Sequence, residues 1–240
     1  MDFIELSMND FPKLKEMCNK FVDTYIFTKP DDFTNRFGSS TRVDYIPYSF
    51  KLSRRHSVED ILSIEYLNKI KIITGNAFEN VSESTQAGIQ GNRVSISLNG
   101  DLNESLFDNK NIFKDSGIND IVDIVSSWKN TIDEDDDRII QYRNTGLFWY
   151  PANSWCGWHT NTKSWHTKAD TYRIYLYYAQ EDKKSFFRYI DRDTGEMITK
   201  WDKKGWNINK FTIGTVDSPL WHCVGSYTNR ISIGFGPVEK

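Results

Sequence analysis

Hydrophobic residues near the N-terminus recur at the spacing of an amphipathic helix. The segment runs over residues 11–25, with Pro12 in the first turn, where a proline costs no hydrogen bond, and with Asn9 and Asp10 before it as caps. Its apolar face consists of Phe11, Leu14, Met17, Cys18, Phe21 and Tyr25. The pattern predicts a first helix over residues 11–25.

A second helical pattern begins at Ser57. Asp60 follows three residues later, which is a variant of the capping box, and Gly75 marks the end of the pattern. Its apolar positions are Ile61, Ile64, Leu67 and Ile70. The same periodicity over residues 117–132 predicts a third helix, followed by an acidic run at 133–137 that we interpret as a solvated turn.

The rest of the N-terminal half shows little regular pattern. Residues 29–50 are irregular, and residues 79–116 are rich in Ser, Asn and Gly. Apolar and polar residues alternate from Val94 to Leu98, which predicts one strand between long loops.

From Arg138 onward the pattern changes to short, aromatic-rich segments separated by turn residues, which is typical of an all-β sandwich or barrel. Asp193-Thr194-Gly195 predicts a tight hairpin turn between the fourth and fifth segments. The eight segments cover residues 140–150, 156–161, 172–179, 185–190, 196–201, 206–213, 219–224 and 229–236. Eight antiparallel strands in so short a segment predict a double-stranded β-helix, or jelly roll.

The predicted fold class is therefore mainly β with N-terminal helices, an α+β arrangement around a jelly-roll core. Residues 1–137 are expected to form a helical and loop region that packs on a core formed by residues 138–240. A chain of 240 residues is short enough for these two regions to make one structural domain.

Charge and composition narrow the choice of partners. A formal net charge of -3 provides no general attraction for nucleic acid or an acidic membrane, and the basic run Arg54-Arg55-His56 is short enough to be solvated surface. Three cysteines at spacings that fit neither a zinc ribbon nor a disulfide framework favour a reducing compartment. Without a signal-peptide pattern or a long apolar run, we expect a cytoplasmic protein with no membrane partner; the oligomeric state is not indicated.

Two histidines on predicted strands are candidate metal ligands. His159 lies near the end of the second strand and His222 lies in the seventh. In a jelly roll whose strands alternate between two sheets, these strands can face each other across the mouth, so the imidazoles can converge on one metal. A third ligand on the same face would stand two residues after His159, and that residue is Asn161.

The eighth predicted strand carries a candidate anion site. Arg230 and Ser232 stand two residues apart, so both side chains lie on one face of the strand. A guanidinium and a hydroxyl that point together can bind a carboxylate. Tyr150 on the first strand can reach the same pocket, which would then hold a metal and an acidic small molecule.

These residues stand in an order that resembles the iron(II)- and 2-oxoglutarate-dependent oxygenases. The resemblance covers residues 140–236, with Tyr150-Pro151, His159-Thr160-Asn161, His222 and Arg230-Ile231-Ser232 in the order of that family. More narrowly, the segments GWHTN, DTGE, KKGWN, LWHCV and RISIGF are similar to small oxygenase-like proteins encoded by marine bacteriophages.

The resemblance implies an Fe(II)- and 2-oxoglutarate-dependent dioxygenase that hydroxylates an unidentified substrate, in the host cytoplasm if the protein is viral. It implies that His159 and His222 are iron ligands. It also implies that Arg230 and Ser232 bind the distal carboxylate of 2-oxoglutarate, assisted by Tyr150.

The chain departs from the family at Asn161, where the family has Asp or Glu. An amide oxygen can coordinate a metal, but it is neutral, so iron would be held less tightly. Asn161 can instead cap a turn at the end of the strand. His166 or Asp170 in the following loop can replace it as a ligand.

Three other functions stay open because of this departure. A halogenase-like variant would use the altered carboxylate position for a halide ion. A non-catalytic, degenerate jelly-roll binding protein would have lost its metal. A cupin-like enzyme would bind another divalent metal and would not use 2-oxoglutarate.

The tryptophans close to the predicted site have two interpretations. Trp155 and Trp158, just before His159, can stack against a planar substrate, although core packing explains most tryptophans in proteins. The same choice applies to Trp165, Trp206 and Trp221.

Two arginines and two cysteines are further candidates. Arg173 and Arg188 lie on strands among aromatic residues, where either can pair with an anionic substrate or lie on an exposed sheet face. Cys156 and Cys223 stand close to the candidate histidines and can ligate a soft metal or serve as small buried hydrophobic residues.

Overall fold

The computed structural model describes residues 3–25, 42–43, 57–74, 90–91, 94–96, 121, 123–125, 139–161, 172–215 and 217–239. These residues form mainly antiparallel β-sheet with a few helices. The strands are β1 (Phe3–Leu6), β2 (Arg42–Val43), β3 (Gln90–Gly91), β4 (Val94–Ile96), β5 (Ile139–Tyr150), β6 (Ser154–His159), β7 (Tyr172–Ala179), β8 (Ser185–Ile190), β9 (Met197–Trp201), β10 (Gly205–Thr212), β11 (His222–Ser226) and β12 (Arg230–Glu239). The helices are a 3₁₀ turn at Met8–Asp10, α1 (Pro12–Tyr25), α2 (Val58–Ile61) and α3 (Ile64–Thr74).

The strands form two six-stranded sheets. Sheet I has the order β1-β10-β7-β12-β5-β4, and sheet II has the order β2-β3-β6-β11-β8-β9. Every strand pair among the described residues is antiparallel. The eight strands from β5 to β12 divide equally, with four in each sheet.

Helices cover the outer face of each sheet. Helix α1 packs on sheet I, and helices α2 and α3 pack on sheet II. The first contact includes Leu14, Cys18, Ile174, Ile208 and Ile233, and the second includes Leu62, Leu67, Trp158, Phe186 and Cys223. Each fully buried aliphatic or aromatic side chain of this kind contributes about 1.5–3 kcal/mol relative to an exposed one.

The space between the sheets is filled by a third cluster, which we call the aromatic layer. Alternate side chains of a strand lie on opposite faces of its sheet, so each strand contributes residues to this layer. In β10, Ile208 packs toward α1, whereas Phe211 packs between the sheets. The buried members are Phe3, Tyr150, Cys156, Phe187, Tyr189, Phe211, Ile213, Leu220 and Val224. Members from both sheets are in contact, with the ring centroids of Phe187 and Phe211 4.8 Å apart.

The predicted first helix is confirmed as α1, which begins at Pro12. Asn9 and Asp10 do not act as its cap, because they belong to the preceding 3₁₀ turn, whose own cap is Ser7. None of the helices in the described part of the chain has the length and apolar character needed to cross a membrane.

The predicted capping box of the second helix is present. Ser57 Oγ accepts a hydrogen bond from the Asp60 N–H at 3.1 Å, and Asp60 Oδ2 accepts one from the Ser57 N–H at 3.2 Å. The helix divides after four residues, because Ser63 Oγ accepts from the Tyr66 N–H at 3.1 Å and so begins a new helix. Gly75 lies outside the described residues.

The predicted third helix is described only at residues 121 and 123–125, which are helical. Ile121 and Val125 are buried in the cluster on sheet I, on the side that the periodicity indicated. The rest of residues 117–132 lies outside the described residues.

Eight strands, β5–β12, are present where eight were predicted, but three of them have clearly different bounds. The second, predicted over residues 156–161, is Ser154–His159, so Asn161 follows the strand. The eighth continues to Glu239, and the seventh begins at His222 and not at residue 219. Pro219 has no N–H to donate to a sheet, and it forms only an isolated bridge with Gly214. The strand predicted from Val94 is present as β4. The pattern missed β1, because four residues at a sheet edge show too little alternation.

The turn between β8 and β9 is wider than the predicted Asp193-Thr194-Gly195 hairpin. The Asp191 N–H donates to the Glu196 carbonyl at 2.9 Å, so the turn covers residues 191–196. Asp191 Oδ1 accepts from the Thr194 N–H at 2.8 Å, and Gly195 takes a positive φ of 73° that suits glycine. The carboxylate of Asp191 thus organises this turn.

Gly225 is predicted to be required for the contact between β11 and α2. A Cβ atom at this position would stand 2.5 Å from Phe186 Cζ and 2.7 Å from Leu62 Cδ1, and both side chains are buried. Gly225→Ala is therefore expected to lower the free energy of unfolding by about 1–3 kcal/mol, measured by urea denaturation. Adding Phe186→Leu should recover part of the loss; a single variant as stable as the wild type would contradict the contact.

Candidate functional site

A β-bulge in β6 places His159 between the two sheets. Cys156 is the Cα partner of Val224, and His159 is the partner of His222, so β6 advances by three residues where β11 advances by two. An inserted residue reverses the alternation of the side chains that follow it. Cys156 consequently packs in the aromatic layer, Trp158 packs on the outer face, and His159 returns to the side of His222.

Strands β6 and β11 are neighbours in sheet II. The prediction that they face each other across the mouth of the fold is therefore wrong, and the histidines meet as side-by-side residues of one sheet. Their ring centroids are 4.2 Å apart at an angle of 54°. His222 also contacts the aromatic layer, with its ring 5.4 Å from that of Phe187 and 5.2 Å from that of Phe211.

Backbone carbonyls determine the tautomers of both histidines. His159 Nδ1 lies 2.7 Å from the Gly157 carbonyl oxygen, and His222 Nδ1 lies 3.0 Å from the Leu220 carbonyl oxygen. A carbonyl only accepts, so in each neutral imidazole we assign the proton to Nδ1. Each Nε2 then keeps the lone pair with which a histidine binds a metal.

Asn161 contacts His222. It is buried, and its Nδ2 lies 2.9 Å from His222 Nε2. Because that nitrogen carries no proton in the assigned tautomer, the amide is the donor. We call His159, Asn161 and His222 the histidine site.

The histidine site fits a divalent transition metal in part. Two unprotonated imidazole nitrogens are suitable ligands for iron, copper or zinc once the Asn161 amide, which donates to His222 Nε2, turns away. The amide oxygen can then complete a face of three ligands. The set carries no negative charge. Within the ranges that the structure describes, there is no group of three or more His, Cys, Asp or Glu that could hold a metal ion, and His166 and Asp170 lie outside those ranges.

A second group of buried polar residues, which we call the floor, surrounds Arg230. Arg230 Nε donates to Asp202 Oδ2 at 2.7 Å, and Ser185 Oγ donates to the same oxygen at 2.6 Å. The Arg230 guanidinium carbon lies 5.4 Å from the ring centre of Tyr150 and 4.9 Å from that of Tyr177. Both charged side chains are almost fully buried, at 3% and 1% exposure.

Arg230 remains charged and retains an unused donor. Burial, the largest single influence, acts to lower its pKa, but the carboxylate of Asp202 together with the phenols of Tyr150 and Tyr177 holds the pKa of Arg230 above its ordinary value. Its Nη1 atom is buried and has no hydrogen-bond partner among the described residues. An orphaned N–H of this kind fits an acceptor group on a ligand.

Ser232 and Tyr150 lie beside Arg230, as the strand pattern predicted. Tyr150 is the cross-strand partner of Arg230, and Ser232 is buried two residues further along β12. Ile231 between them packs in the opposite direction, toward α1. Tyr150, Arg230 and Ser232 therefore lie together in the fold.

The histidine site and the floor lie at opposite ends of β8 and β11. His222 pairs with Tyr189, and Ser226 pairs with Ser185, which binds Asp202. Four residues of strand separate these pairs, or about 13 Å. Phe187 lies between them on the same face, so a ligand that reaches both groups must be elongated and must pass the aromatic layer.

Several predicted tryptophans are not brought to the histidine site. Trp155 and Trp158 pack against α2 and α3, and Trp158 Nε1 donates to the Ser63 carbonyl at 2.9 Å. Trp206 packs on the α1 side of sheet I, and Trp221 packs on the outer face of sheet II. Trp165 lies outside the described residues.

The two candidate arginines lie in different surroundings. Arg188 donates to the Thr199 hydroxyl and to the Leu62 carbonyl, which attaches it to the outer face of sheet II. Arg173 is half-buried and is the cross-strand partner of Phe211, whose ring contacts His222. Arg173 is therefore the candidate substrate residue that lies at the same end of the fold as the histidines.

The cysteines behave as buried hydrophobic residues. Cys223 packs under the helices on sheet II, and burial holds the pKa of its thiol well above the usual range. Cys156 Sγ lies 3.6 Å from His159 Nδ1, the protonated ring nitrogen, and not from the lone pair at Nε2.

Sequence reasoning missed Asp202 and Ser185. Asp202 follows β9 in a run of charged residues, WDKK, which looks like a solvated loop. Only its contact with Arg230, 28 residues later, shows that it is a buried counter-ion. No local signal in the sequence marks this pair.

Comparisons with known proteins found little similarity. No family model matches the chain, and no curated protein matches its sequence. A Pseudomonas putida prolyl-4-hydroxylase is similar with a TM-score of 0.38 and 9% identity, over 95% of this chain and 100% of that one. A Trichoplax adhaerens prolyl hydroxylase, solved in complex with a hypoxia inducible factor oxygen degradation domain peptide fragment, has a TM-score of 0.35 and 14% identity over 98% and 94%. Similarity at this level carries no argument about function.

Proposed function

We propose that the protein is an Fe(II)- and 2-oxoglutarate-dependent oxygenase that hydroxylates an unidentified substrate. The observation that carries the proposal is the histidine pair. A bulge turns His159 to the side of His222, and two backbone carbonyls orient both Nε2 lone pairs for a metal.

The arrangement of strands supports a double-stranded β-helix as the scaffold. The eight strands β5–β12 divide four and four between two antiparallel sheets, with helices on the outer faces. The packing of α1 and β1 on sheet I supports one structural domain made from residues 1–137 and 138–240.

The residues of the histidine site would hold the metal in a water-poor environment. His159 and His222 would contribute imidazole nitrogens, and Asn161 would contribute its amide oxygen after rotating its amide away from His222. Bound Fe(II) with 2-oxoglutarate would supply the reaction with dioxygen that side chains lack. Phe187 and Phe211 would exclude water from the inner side of the metal.

The floor would bind the distal carboxylate of 2-oxoglutarate. The unused Nη1 donor of Arg230 and the hydroxyl of Ser232 are the available donors, with Tyr150 beside them. An elongated dicarboxylate has acceptor groups at both ends, which suits two polar sites separated by an aromatic layer.

A second candidate is a degenerate, non-catalytic jelly-roll binding protein. Two contacts favour it: Asn161 donates to the nitrogen that would bind metal, and Asp202 already pairs with Arg230. In that case the amide of Asn161 would occupy the place of the metal ion, and the carboxylate of Asp202 would occupy the place of the ligand carboxylate. A halogenase-like variant and a cupin-like enzyme differ from both in their response to halide and to 2-oxoglutarate.

Titration of the purified chain with Fe(II) and then 2-oxoglutarate, without oxygen, separates these functions. Calorimetry is expected to show metal binding first and tighter 2-oxoglutarate binding to the metal-loaded than to the metal-free protein, with succinate formed when oxygen is admitted. Asn161→Asp should bind Fe(II) about tenfold tighter or more, because a carboxylate compensates the charge of the metal, and should form succinate at least as fast. Asn153→Asp, which adds the same charge at an exposed turn, is the matched control.

Each alternative has its own outcome in this experiment. Binding of neither Fe(II) nor 2-oxoglutarate by either chain would support the degenerate protein and rule out the oxygenase. Metal binding that is indifferent to 2-oxoglutarate would indicate a cupin-like enzyme. A change of product or metal spectrum with halide would indicate the halogenase-like variant.

A further inference from the structure

The floor contains a charge arrangement that the carboxylate-binding role does not require. Asp202 is buried, and its Oδ2 accepts hydrogen bonds from Arg230 Nε and Ser185 Oγ. The backbone N–H of Asp202 also donates to the Ser185 carbonyl at 2.8 Å, which anchors the carboxylate in place. Arg230 therefore already has a fixed counter-ion inside the protein.

The surroundings leave Arg230 only a limited way to bind a ligand. Its Nε is used by Asp202, and the rings of Tyr150 and Tyr177 flank the guanidinium. Its Nη1 atom is buried and has no hydrogen-bond partner in the described part of the chain. A ligand at this position thus meets a hydrogen-bond donor whose positive charge is largely compensated.

Tyr177 shows that the charge of Asp202 is felt within the floor. Burial raises the pKa of the Tyr177 phenol, and the negative charge of Asp202 raises it further. The phenol is anchored by a hydrogen bond to Asn209 Oδ1 at 3.3 Å. The charge of Arg230 acts on the phenol in the opposite direction, so a ligand carboxylate in the same space would experience both the repulsion from Asp202 and the attraction to Arg230.

We propose that Asp202 is a specificity-determining residue that makes the floor a weak site for carboxylates. Asp202 already compensates the charge of Arg230, so a ligand carboxylate gains little from that charge. A neutral acceptor such as a carboxamide therefore binds Arg230 nearly as well as a carboxylate does. The inference rests on the proposed function in so far as the floor takes one end of an elongated ligand.

Replacing Asp202 with asparagine tests this directly. An amide oxygen can accept the two hydrogen bonds that Asp202 Oδ2 now accepts, while the negative charge is removed. The probes are glutarate and its neutral diamide, which have no 2-oxo group and therefore need no metal. Their dissociation constants are measured by ligand-induced thermal stabilisation and by calorimetry on the full chain.

In Asp202→Asn, glutarate is expected to bind about tenfold tighter than in the wild type, because a hydrogen bond to an uncompensated charge is stronger. Binding of the diamide should change less than about threefold by the same reasoning. Asp193→Asn, which removes the same charge at an exposed turn, is the matched control and should bind glutarate as the wild type does.

The wild-type chain provides a second test that does not depend on the variant folding. It should prefer glutarate over the diamide by less than about tenfold, the difference expected between charged and neutral hydrogen bonds. A preference above about 100-fold would overturn the inference, because that is the behaviour of an uncompensated arginine. Equal or weaker glutarate binding in Asp202→Asn would overturn it too.

Failure of this inference is distinguishable from failure of the proposed function. If neither chain binds glutarate, the floor is not a carboxylate site and the inference fails, even when Fe(II) binds at the histidines. If Asp202→Asn gains glutarate affinity but no chain binds Fe(II), the inference stands and the oxygenase proposal fails.

Discussion

His222→Ala is expected to reduce Fe(II) affinity by more than about 100-fold. Loss of a group that merely supports a metal ligand costs about 10–100-fold, so loss of a direct ligand from a set without negative charge should cost more. His222 Nε2 is also the acceptor for the Asn161 amide, so the variant removes this hydrogen bond together with the ligand. Anaerobic calorimetry with Fe(II) measures the change.

The adjacent residue of the same strand provides a matched control. Cys223 packs on the outer face of sheet II, away from the histidine site, so Cys223→Ala should keep the metal affinity of the wild type. Urea denaturation of both variants separates a loss of metal binding from a loss of fold. Unchanged Fe(II) affinity in a folded His222→Ala chain would contradict the proposed metal site.

Arg230→Met is expected to lower the free energy of unfolding by about 3–5 kcal/mol. Removal of one partner of a buried ion pair leaves the other charge uncompensated in a medium of low dielectric constant. Asp202 is 1% exposed and has no route to water for its carboxylate without local opening. Urea denaturation at neutral pH, followed by fluorescence of the tryptophans, measures the loss.

Removing the second charge should restore much of that stability. In the double variant Arg230→Met with Asp202→Asn, the buried charge is absent and Ser185 can still donate to the amide oxygen. The double variant should therefore be more stable than Arg230→Met alone, with a clear coupling between the two sites. Additive losses would show that Arg230 and Asp202 do not form the buried pair in solution.

Local patterns predicted many of the individual elements. Pro12 marks the start of α1 and Ser57 with Asp60 forms the capping box, because capping depends on residues a few positions apart. The predicted start of the seventh strand was wrong, because Pro219 lies in an apolar run that continues into β11. A break within the second helix depends on the single hydroxyl of Ser63, which periodicity does not detect.

Residue order predicted part of the candidate site. Asn161 was expected near His159 because side chains two residues apart share a face, and it lies at hydrogen-bond distance from His222. Trp158 had two interpretations, stacking against a substrate or packing in the core, and it packs under the helices on the outer face. The bulge that separates Trp158 from His159 exists only because β6 pairs with β11 in a particular register.

The sequence by itself determined that this chain forms short antiparallel strands with helices before them, and that Arg230 and Ser232 share a strand face. These features follow from periodicity and capping, which act over a few residues. Only the tertiary structure decided that His159 and His222 are neighbours in one sheet and that Asp202 is the counter-ion of Arg230. The two histidines are 63 positions apart in the chain, and their contact depends on strand register. Asp202 and Arg230 are 28 positions apart, and their ion pair depends on the burial of both charges. Register and burial are properties of the assembled sheets and not of any local segment.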